Sequence, residues 1–245
     1  MRTININYIR DKNINYSNRR KQKPVVIVNH ISQGSKESCI SWFKSKNNNN
    51  SSTHFLVGRD GSIYQFVKIE DAAWGNGLYL EDIKNAFSSV VRSKYINPNL
   101  YTVSIEHEGI YEKSKGSLTK KQLNSTIFLH RYIINYIKNK YKYSIPINRK
   151  HIIGHYEIDP NRKPYCPGEK FPFDKIIEKL KKDQSFKDIE NHWAEKAILN
   201  VTNKNIMEGY PDGNFRPEEY IKRGELASII NKLIKIWWKL IHHIF

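Results

Sequence analysis

The segment from Pro24 to His30 constrains the fold of this chain more than any other feature. Its sequence, PVVIVNH, is a run of apolar β-branched residues that ends on polar side chains. Such a run is typical of a buried strand, and a site opens most readily at the end of a central strand. The segment therefore predicts a sheet with His30 at a candidate functional edge.

The first 182 residues alternate between strand and helix patterns. The turn signal Arg59-Asp60-Gly61 separates two apolar runs, and the segment 119–141 carries an apolar stripe at helical spacing. The expected elements are a helix over 36–44, a hairpin over 53–67, a strand over 100–110, a helix over 119–141, a strand and turn over 150–158, and a helix over 172–182. Together they predict an α/β domain with a mixed central sheet flanked by helices.

The pattern changes after Lys181-Lys182-Asp183-Gln184. The remaining residues predict a helix beginning near Asn191, a turn in GYPDGNFRP and a second helix in KRGELASIINKLIK. The apolar stripe of the second helix continues into WWKLIHHIF, which predicts an extended amphipathic helix. We therefore expect two domains, a larger α/β domain over 1–182 and a small all-α helix-loop-helix module over 183–245.

The positive charge of the chain lies almost entirely in the first domain. Of the 41 basic and 24 acidic residues, 9 and 8 follow Gln184, so the first part holds nearly all of the net charge of +17. Such a field favours polyanionic partners, either nucleic acid or an anionic cell wall. No zinc-finger spacing, RNP-like strand or recognition helix accompanies the charge, so we expect no nucleic-acid partner.

Neither an export signal nor a membrane span is expected from the sequence. The first 23 residues alternate polar and charged side chains and lack the apolar core of a secretory signal. Lys232, Lys235 and Lys239 interrupt the apolar stripe of the last helix. We therefore expect a protein that is made in the cytoplasm without a signal peptide and that has no transmembrane segment.

Three residues at predicted strand ends, or in the loop after one, have side chains that bind zinc. These are His30, His155 and Cys166. Catalytic zinc usually takes three protein ligands from His, Cys and carboxylates and leaves a fourth position for water or substrate. Each residue taken alone is more readily explained as an ordinary structural side chain. The other cysteine, Cys39, lies in an apolar-periodic helix and is predicted to be a buried thiol.

Five blocks of the sequence resemble one known family. VNHIS, STHFLVGRDGSIYQFV, DAAWGNG, VSIEHEG and IIGHYEIDPNRKPYCPG occur in this order within about 22–182. They are similar to the successive blocks of the N-acetylmuramoyl-L-alanine amidases related to phage T7 lysozyme and the peptidoglycan-recognition proteins. The resemblance implies the α/β fold of that family and zinc bound by His30, His155 and Cys166. It also implies hydrolysis of the amide bond between N-acetylmuramic acid and L-alanine in peptidoglycan.

The resemblance further implies the residue that activates water. The carboxylate of the I-E-x-E-G strand maps to Glu106, which lies on the polar face of its strand. A zinc-polarised water needs a base within hydrogen-bond reach during attack on an amide carbonyl. Glu108 shares that face and is the rival candidate, with a structural role as the simpler explanation.

Three more residues are candidates for the same site. Relatives often place a lysine two residues before the last metal ligand to stabilise the oxyanion, but that position is Pro164 here and Lys163 lies one residue earlier. His54, in the H-F block, is a second catalytic candidate, although a structural role explains it equally well. The family uses the loop containing Trp74 to line the substrate groove, so Trp74 is a candidate for substrate binding.

The tail resembles a surface-layer homology module along its whole length. The matching elements are F-x-D, H-W-A, G-Y-P-D-G-x-F-R-P and R-x-E-L. Such modules anchor proteins to the secondary cell-wall polysaccharide of Gram-positive bacteria, and relatives use an R-A-E segment to bind the glycan. That segment maps to Arg223, Gly224 and Glu225, so Arg223 and Glu225 are candidate glycan-binding residues. Relatives usually have three modules and this chain has one, so we expect homo-oligomers formed through the C-terminal module. Contact of the last helix with a membrane surface is the lesser alternative.

The combined prediction is a zinc-dependent peptidoglycan amidase anchored to the bacterial cell wall. Because no signal peptide is predicted, a phage endolysin that is released during lysis is favoured over a secreted host autolysin. A non-catalytic peptidoglycan-binding protein and a structural surface-layer protein are the alternatives. The first typically lacks the cysteine ligand, and the second leaves the first 182 residues unexplained.

Overall fold

The computed structural model describes residues 5–182, 186, 188–203, 206–210 and 212–241. Its strands are β1 (Ile6–Tyr8), β2 (Tyr16–Asn18), β3 (Val26–Ile31), β4 (Phe55–Val57), β5 (Ile63–Gln65), β6 (Asp71–Ala73), β7 (Thr102–His107) and β8 (Ile152–Gly154). Its α-helices are α1 (Lys36–Lys44), α2 (Ser89–Lys94), α3 (Tyr111–Ser114), α4 (Lys120–Tyr141), α5 (Phe173–Lys182), α6 (Glu195–Asn203) and α7 (Arg223–Ile241). Short 3-10 helices cover Leu80–Asn85, Pro98–Leu100 and His155–Glu157.

Six of the described strands form one mixed sheet in the order β1-β5-β4-β7-β3-β8. β3 runs parallel to its two neighbours, β7 and β8. β4 and β5 form an antiparallel pair, which is the predicted hairpin. The short strands β2 and β6 pair antiparallel in a second sheet. The prediction of a mixed central sheet flanked by helices is confirmed.

β3 is buried along its whole length because apolar layers cover both faces of the sheet. On one face Ile27 belongs to a cluster with Leu129 and Ile133 of α4. On the other face Val28 packs in a cluster with Ile83. A strand covered on both faces gives a continuous apolar run in the sequence, which is why PVVIVNH predicts it.

Phe55 of β4 provides a test of this core. Its side chain is fully buried and its ring lies edge-on to that of Tyr132, with centroids 6.4 Å apart. Phe55→Ala should lower the free energy of unfolding by about 3–5 kcal/mol, because it removes apolar contacts and leaves a cavity. Denaturant unfolding measures the change. The control is Phe87→Ala, at a side chain that is 64% exposed, for which the change should stay within about 0.5 kcal/mol.

Three short strands of the larger domain, β1, β2 and β6, are not predicted by the sequence pattern. β1 pairs in parallel with β5 at the edge of the main sheet, and β2 pairs with β6. Each has three residues, which is too short for alternation to be distinguished from a polar loop.

The chain divides into two compact units, Met1–Leu180 and Lys181–Phe245. In the second unit α6 and α7 are joined by a loop that includes a turn, in which the Tyr210 N–H donates to the Asn214 carbonyl at 2.8 Å. α6 begins at Glu195 and not near Asn191, because Asn191 has a φ of 63°, which a right-handed helix does not allow.

The same loop is fixed by a carboxylate of the second unit. Asp188 accepts hydrogen bonds from the backbone N–H groups of Phe215 and Arg216, at 2.8 and 2.6 Å. These contacts join the residues that precede α6 to the loop that precedes α7. Among the described residues, no helix combines the length and the apolar content needed to cross a bilayer.

Candidate metal centre and active site

Two neighbouring parallel strands bring His30 and Glu106 together. His30 of β3 is the register partner of Glu106 of β7, and both lie near the carboxyl ends of their strands. Side chains of paired residues project to the same face of a sheet. Accordingly, Nδ1 of His30 lies 3.9 Å from Oε1 of Glu106.

His155 and Cys166 complete the cluster from the other side of β3. His155 directly follows β8, the strand that pairs with β3, and its ring centroid lies 4.4 Å from that of His30. The Cys166 Sγ accepts a hydrogen bond from the backbone N–H of Ile31 at 3.4 Å. One ligand atom each from His30, His155 and Cys166 lies within 4.8 Å of the other two.

The donor set and its surroundings fit a zinc ion. Burial lowers the pKa of His30 well below its usual value and that of His155 to about 3, so both rings are neutral and have a lone pair for a cation. Burial raises the pKa of the Cys166 thiol to about 12, and a bound cation would reverse this by favouring the thiolate. Two imidazoles and a thiolate are a typical zinc ligand set.

Glu106 has the environment of a general base. Burial raises the pKa of Glu106 to about 7, and the positive charge of Lys163 opposes that rise. Its Oε2 atom is buried and has no hydrogen-bond partner. A carboxylate with a pKa near neutral pH accepts a proton efficiently under ordinary conditions.

The cluster opens into a groove of about 1310 Å³ on the first unit. His30, Glu106, His155 and Cys166 line it together with Trp74 and Lys163. The backbone N–H of Trp74 donates to Ser52 Oγ at 2.8 Å, and its indole N–H donates to Ser17 Oγ at 3.3 Å. Trp74 is therefore held in the groove wall with its ring partly exposed.

The charge of Lys163 acts on the candidate metal ligands, whereas His54 does not line the groove. The Lys163 ammonium group contributes to lowering the pKa of Cys166 and of His155. His54 is buried, with Nε2 2.8 Å from Nη2 of Arg19 and Nδ1 3.1 Å from Oγ of Ser104. It is not among the residues that line the groove. The catalytic roles of Lys163 and His54 stay predictions.

Glu108 lies apart from this cluster. Its carboxylate accepts a hydrogen bond from the backbone N–H of Arg59 at 2.6 Å, and it lines a separate cavity of about 470 Å³. The groove does not include it. Of the two carboxylates on the polar face of the predicted strand, Glu106 is the one beside the metal ligands.

Several residues that line the groove are not indicated by any pattern in the sequence. Trp42, Arg162 and Tyr165 line the groove, and the exposed Tyr165 ring stacks on Tyr111 with centroids 5.0 Å apart. Arg162 is held by an ion pair with Asp159. These residues lie in α1 and in the loop around Cys166, so only the folded chain brings them together.

The candidate glycan-binding residues lie at the start of α7 in the second unit. Arg223 and Glu225 are both exposed. Oε2 of Glu225 accepts a hydrogen bond from the backbone N–H of Lys222 at 2.9 Å. A methyl group at Gly224 would meet nothing within 4 Å. The glycine in place of the alanine of R-A-E is therefore sterically neutral in this chain.

The fold and the clustered donors define an α/β protein with a candidate zinc hydrolase centre. The chain belongs to the N-acetylmuramoyl-L-alanine amidase family, because the model of that family matches residues 20–169, more than half of the chain. Residues 185–227 match the S-layer homology domain. The predicted resemblance to both families is confirmed, and the family supports the predicted amidase activity.

Individual relatives match one or the other part of the chain. The Se-Met AmpD derivative has a TM-score of 0.51 at 20% identity, covering 71% of this chain and 93% of that structure, which shows the shared fold. The amidase LysC from Clostridium intestinale URNW has a TM-score of 0.46 at 20% identity, covering 73% and 98%. A cellulosome-anchoring protein of Acetivibrio thermocellus is 41% identical over 68 residues, which is 25% of this chain and 15% of that relative. The chain thus spans a small part of the curated relative's length.

Proposed function

We propose that this protein is a zinc-dependent amidase that hydrolyses the bond between N-acetylmuramic acid and L-alanine in peptidoglycan. The observation that carries the proposal is the cluster of His30, His155 and Cys166, with ligand atoms within 4.8 Å of one another. Glu106 lies beside this cluster, and the groove gives a large substrate access to it. A non-catalytic binding protein would need neither the three ligands nor the base.

Each residue of the centre has a defined task in this proposal. His30, His155 and Cys166 hold the zinc ion, which when bound polarises the scissile carbonyl and lowers the pKa of water. Glu106 takes the proton from the attacking water and delivers it to the leaving nitrogen. The Lys163 ammonium group favours negative charge that develops on the carbonyl oxygen. Trp74 offers an aromatic face to a sugar or peptide plane in the groove.

The experiment compares two kinds of new chain ends released from purified peptidoglycan. An amidase releases the amino groups of L-alanine and no reducing sugar ends, and a chelator should abolish the release. A glycosidase would release reducing ends instead. If the protein bound peptidoglycan and released neither product with zinc present, the amidase proposal would be wrong and a wall-binding role would replace it.

The second domain, 183–245, is proposed to hold the enzyme on the Gram-positive cell wall by binding secondary cell-wall polysaccharide. The match to the S-layer homology domain and the likeness to a cellulosome-anchoring protein support this proposal. A phage endolysin that reaches the wall during lysis is the proposed biological setting. A host autolysin is the alternative.

Arg223 tests wall binding in a co-sedimentation assay with purified walls that contain the polysaccharide. Arg223→Ala should weaken binding by about tenfold, because the loss of one charged hydrogen bond to a glycan costs about 1.5 kcal/mol. The matched control is Lys235→Ala, which removes an equal charge from an exposed position on the same helix. Equal binding by both variants and the wild type would exclude Arg223 from the glycan site.

Self-association through the second domain also stays a proposal. α7 exposes apolar side chains, and Leu226, Ile230, Leu233 and Trp237 follow the spacing of one helical stripe. Contact with a second copy would cover this stripe. Light scattering should show a mass above that of the 28.9 kDa monomer as concentration rises. A constant monomer mass would contradict the proposal.

A further inference from the structure

Beside the candidate metal centre, His30 and Asn76 each have a buried polar atom that lacks a hydrogen-bond partner in good geometry. These atoms are Nε2 of His30 and Oδ1 of Asn76. The two side chains are only 3% and 1% exposed, so water does not readily replace a partner. Buried polar atoms are nearly always hydrogen-bonded, so each exception needs a physical explanation.

The orientation of the Asn76 amide is fixed by Thr102. The Thr102 hydroxyl donates its single proton to the Pro98 carbonyl at 2.7 Å, so towards Asn76 it can only accept. The Asn76 group that faces Thr102 at 2.9 Å is therefore the NH2 end. The backbone N–H of Asn76 donates to Asn99 Oδ1 at 2.7 Å, which fixes the loop as well. The carbonyl oxygen Oδ1 must point the other way.

The partner that suits this oxygen is His30. The Asn76 side chain lies within hydrogen-bonding reach of the His30 ring. Oδ1 can only accept, so the matching atom of the ring must carry a proton. A neutral imidazole has one N–H. With the proton on Nε2, the lone pair is on Nδ1, the atom that lies 3.9 Å from the Glu106 carboxylate.

We propose that Asn76 is a positioning residue of the metal centre, an inference that rests on the proposed zinc site. Its Oδ1 accepts the Nε2 proton of His30 and keeps the ring in the tautomer whose Nδ1 lone pair is free for the metal. Partners of this kind fix the tautomer and the orientation of a metal-binding histidine, and their loss typically lowers metal affinity 10–100-fold.

Three variants of the full chain separate this role from a merely structural one. Asn76→Leu has a similar volume and removes the acceptor. Asn76→Asp keeps an acceptor for His30, and the Thr102 hydroxyl can turn to donate to the new carboxylate. Asn99→Ala removes the backbone anchor of the same loop and leaves Asn76 Oδ1 in place. Zinc affinity is measured by competition with a chromophoric chelator, and thermal unfolding is followed for each variant.

The expected result is a zinc affinity about 10–100-fold lower for Asn76→Leu, with Asn76→Asp and Asn99→Ala close to the wild type. Equal zinc affinity of Asn76→Leu and the wild type would overturn the inference, as would an equal loss in Asn99→Ala. A wild-type protein that binds no zinc would instead refute the proposed function itself.

A second measurement applies even if Asn76→Leu does not fold. The ¹⁵N shifts of the His30 ring in the zinc-free wild type report which nitrogen carries the proton. The Nε2–H tautomer is expected, with a larger share of the Nδ1–H tautomer in any folded variant that lacks the acceptor. An Nδ1–H tautomer in the wild type would overturn the inference.

Discussion

Cys166→Ala is expected to remove bound zinc from the protein and to lower the release of L-alanine amino groups by at least about 1000-fold. The variant leaves two protein ligands, His30 and His155, where catalytic zinc needs three. Without the metal, the polarisation of the carbonyl, worth several kcal/mol, is lost, and each 1.36 kcal/mol is tenfold in rate. Zinc content by elemental analysis and amide hydrolysis on peptidoglycan are the two measurements.

Two controls separate ligand loss from unfolding or from general thiol loss. Cys39→Ala removes the other cysteine, which is buried in α1 and is not in the ligand cluster, and it should keep its zinc. Cys166→Asp replaces the thiolate with a carboxylate, which is also a zinc ligand, and should restore part of the zinc content and of the activity. If Cys166→Ala kept full zinc content and full activity, Cys166 would not be a ligand.

The local elements of this fold can be predicted because their signals lie within a few residues. PVVIVNH gives a buried strand, and the turn around Asp60 joins the hairpin of β4 and β5. The grouping of the site residues cannot be predicted from such local signals. His30 and Glu106 are neighbours only because β3 and β7 pair in register, across 76 positions of sequence. No spacing in the sequence expresses that pairing, so the family resemblance provided the grouping of these residues.

The amino-terminal segment shows what the sequence could not reveal. Arg19 lies in a stretch that alternates polar and charged residues, yet its side chain is 3% exposed. Its guanidinium group donates to the carbonyls of Ile69, Leu100 and Thr102 at 2.8 to 3.0 Å. A single long side chain that donates hydrogen bonds to carbonyls of separate chain segments leaves no periodic pattern in the sequence.

The same contacts explain why His54 was hard to assign from sequence. A histidine directly before a strand and close to an active site is compatible with a catalytic or a structural role. Here Arg19 Nη2 lies 2.8 Å from its Nε2, and burial followed by the charge of Arg19 lowers the pKa of His54. The ring therefore stays neutral, held between Arg19 and Ser104. Its link to Arg19 depends on a residue 35 positions away, which only the folded chain reveals.

Glu106→Gln is expected to keep the zinc and to lower kcat by about 100- to 10,000-fold, the usual contribution of a general base. The amide has the shape of the carboxylate but cannot accept the proton of the attacking water. Glu106 is not among the three ligand residues, so zinc content should be close to that of the wild type. Rate measurements under saturating peptidoglycan, paired with elemental analysis, check both parts.

The matched control and the pH profile decide between the two carboxylates of the strand. Glu108→Gln alters a side chain bonded to the Arg59 N–H outside the groove and should leave kcat within about twofold, or ~0.4 kcal/mol. Burial raises the pKa of Glu106 to about 7 without a cation, and a bound cation favours the carboxylate. Because the base must be ionised, wild-type activity should fall as the pH drops through a limb at or below about 7. The pH profile of the residual activity of Glu106→Gln should lack that acidic limb. A profile of Glu108→Gln that lacked the limb would instead assign the base to Glu108.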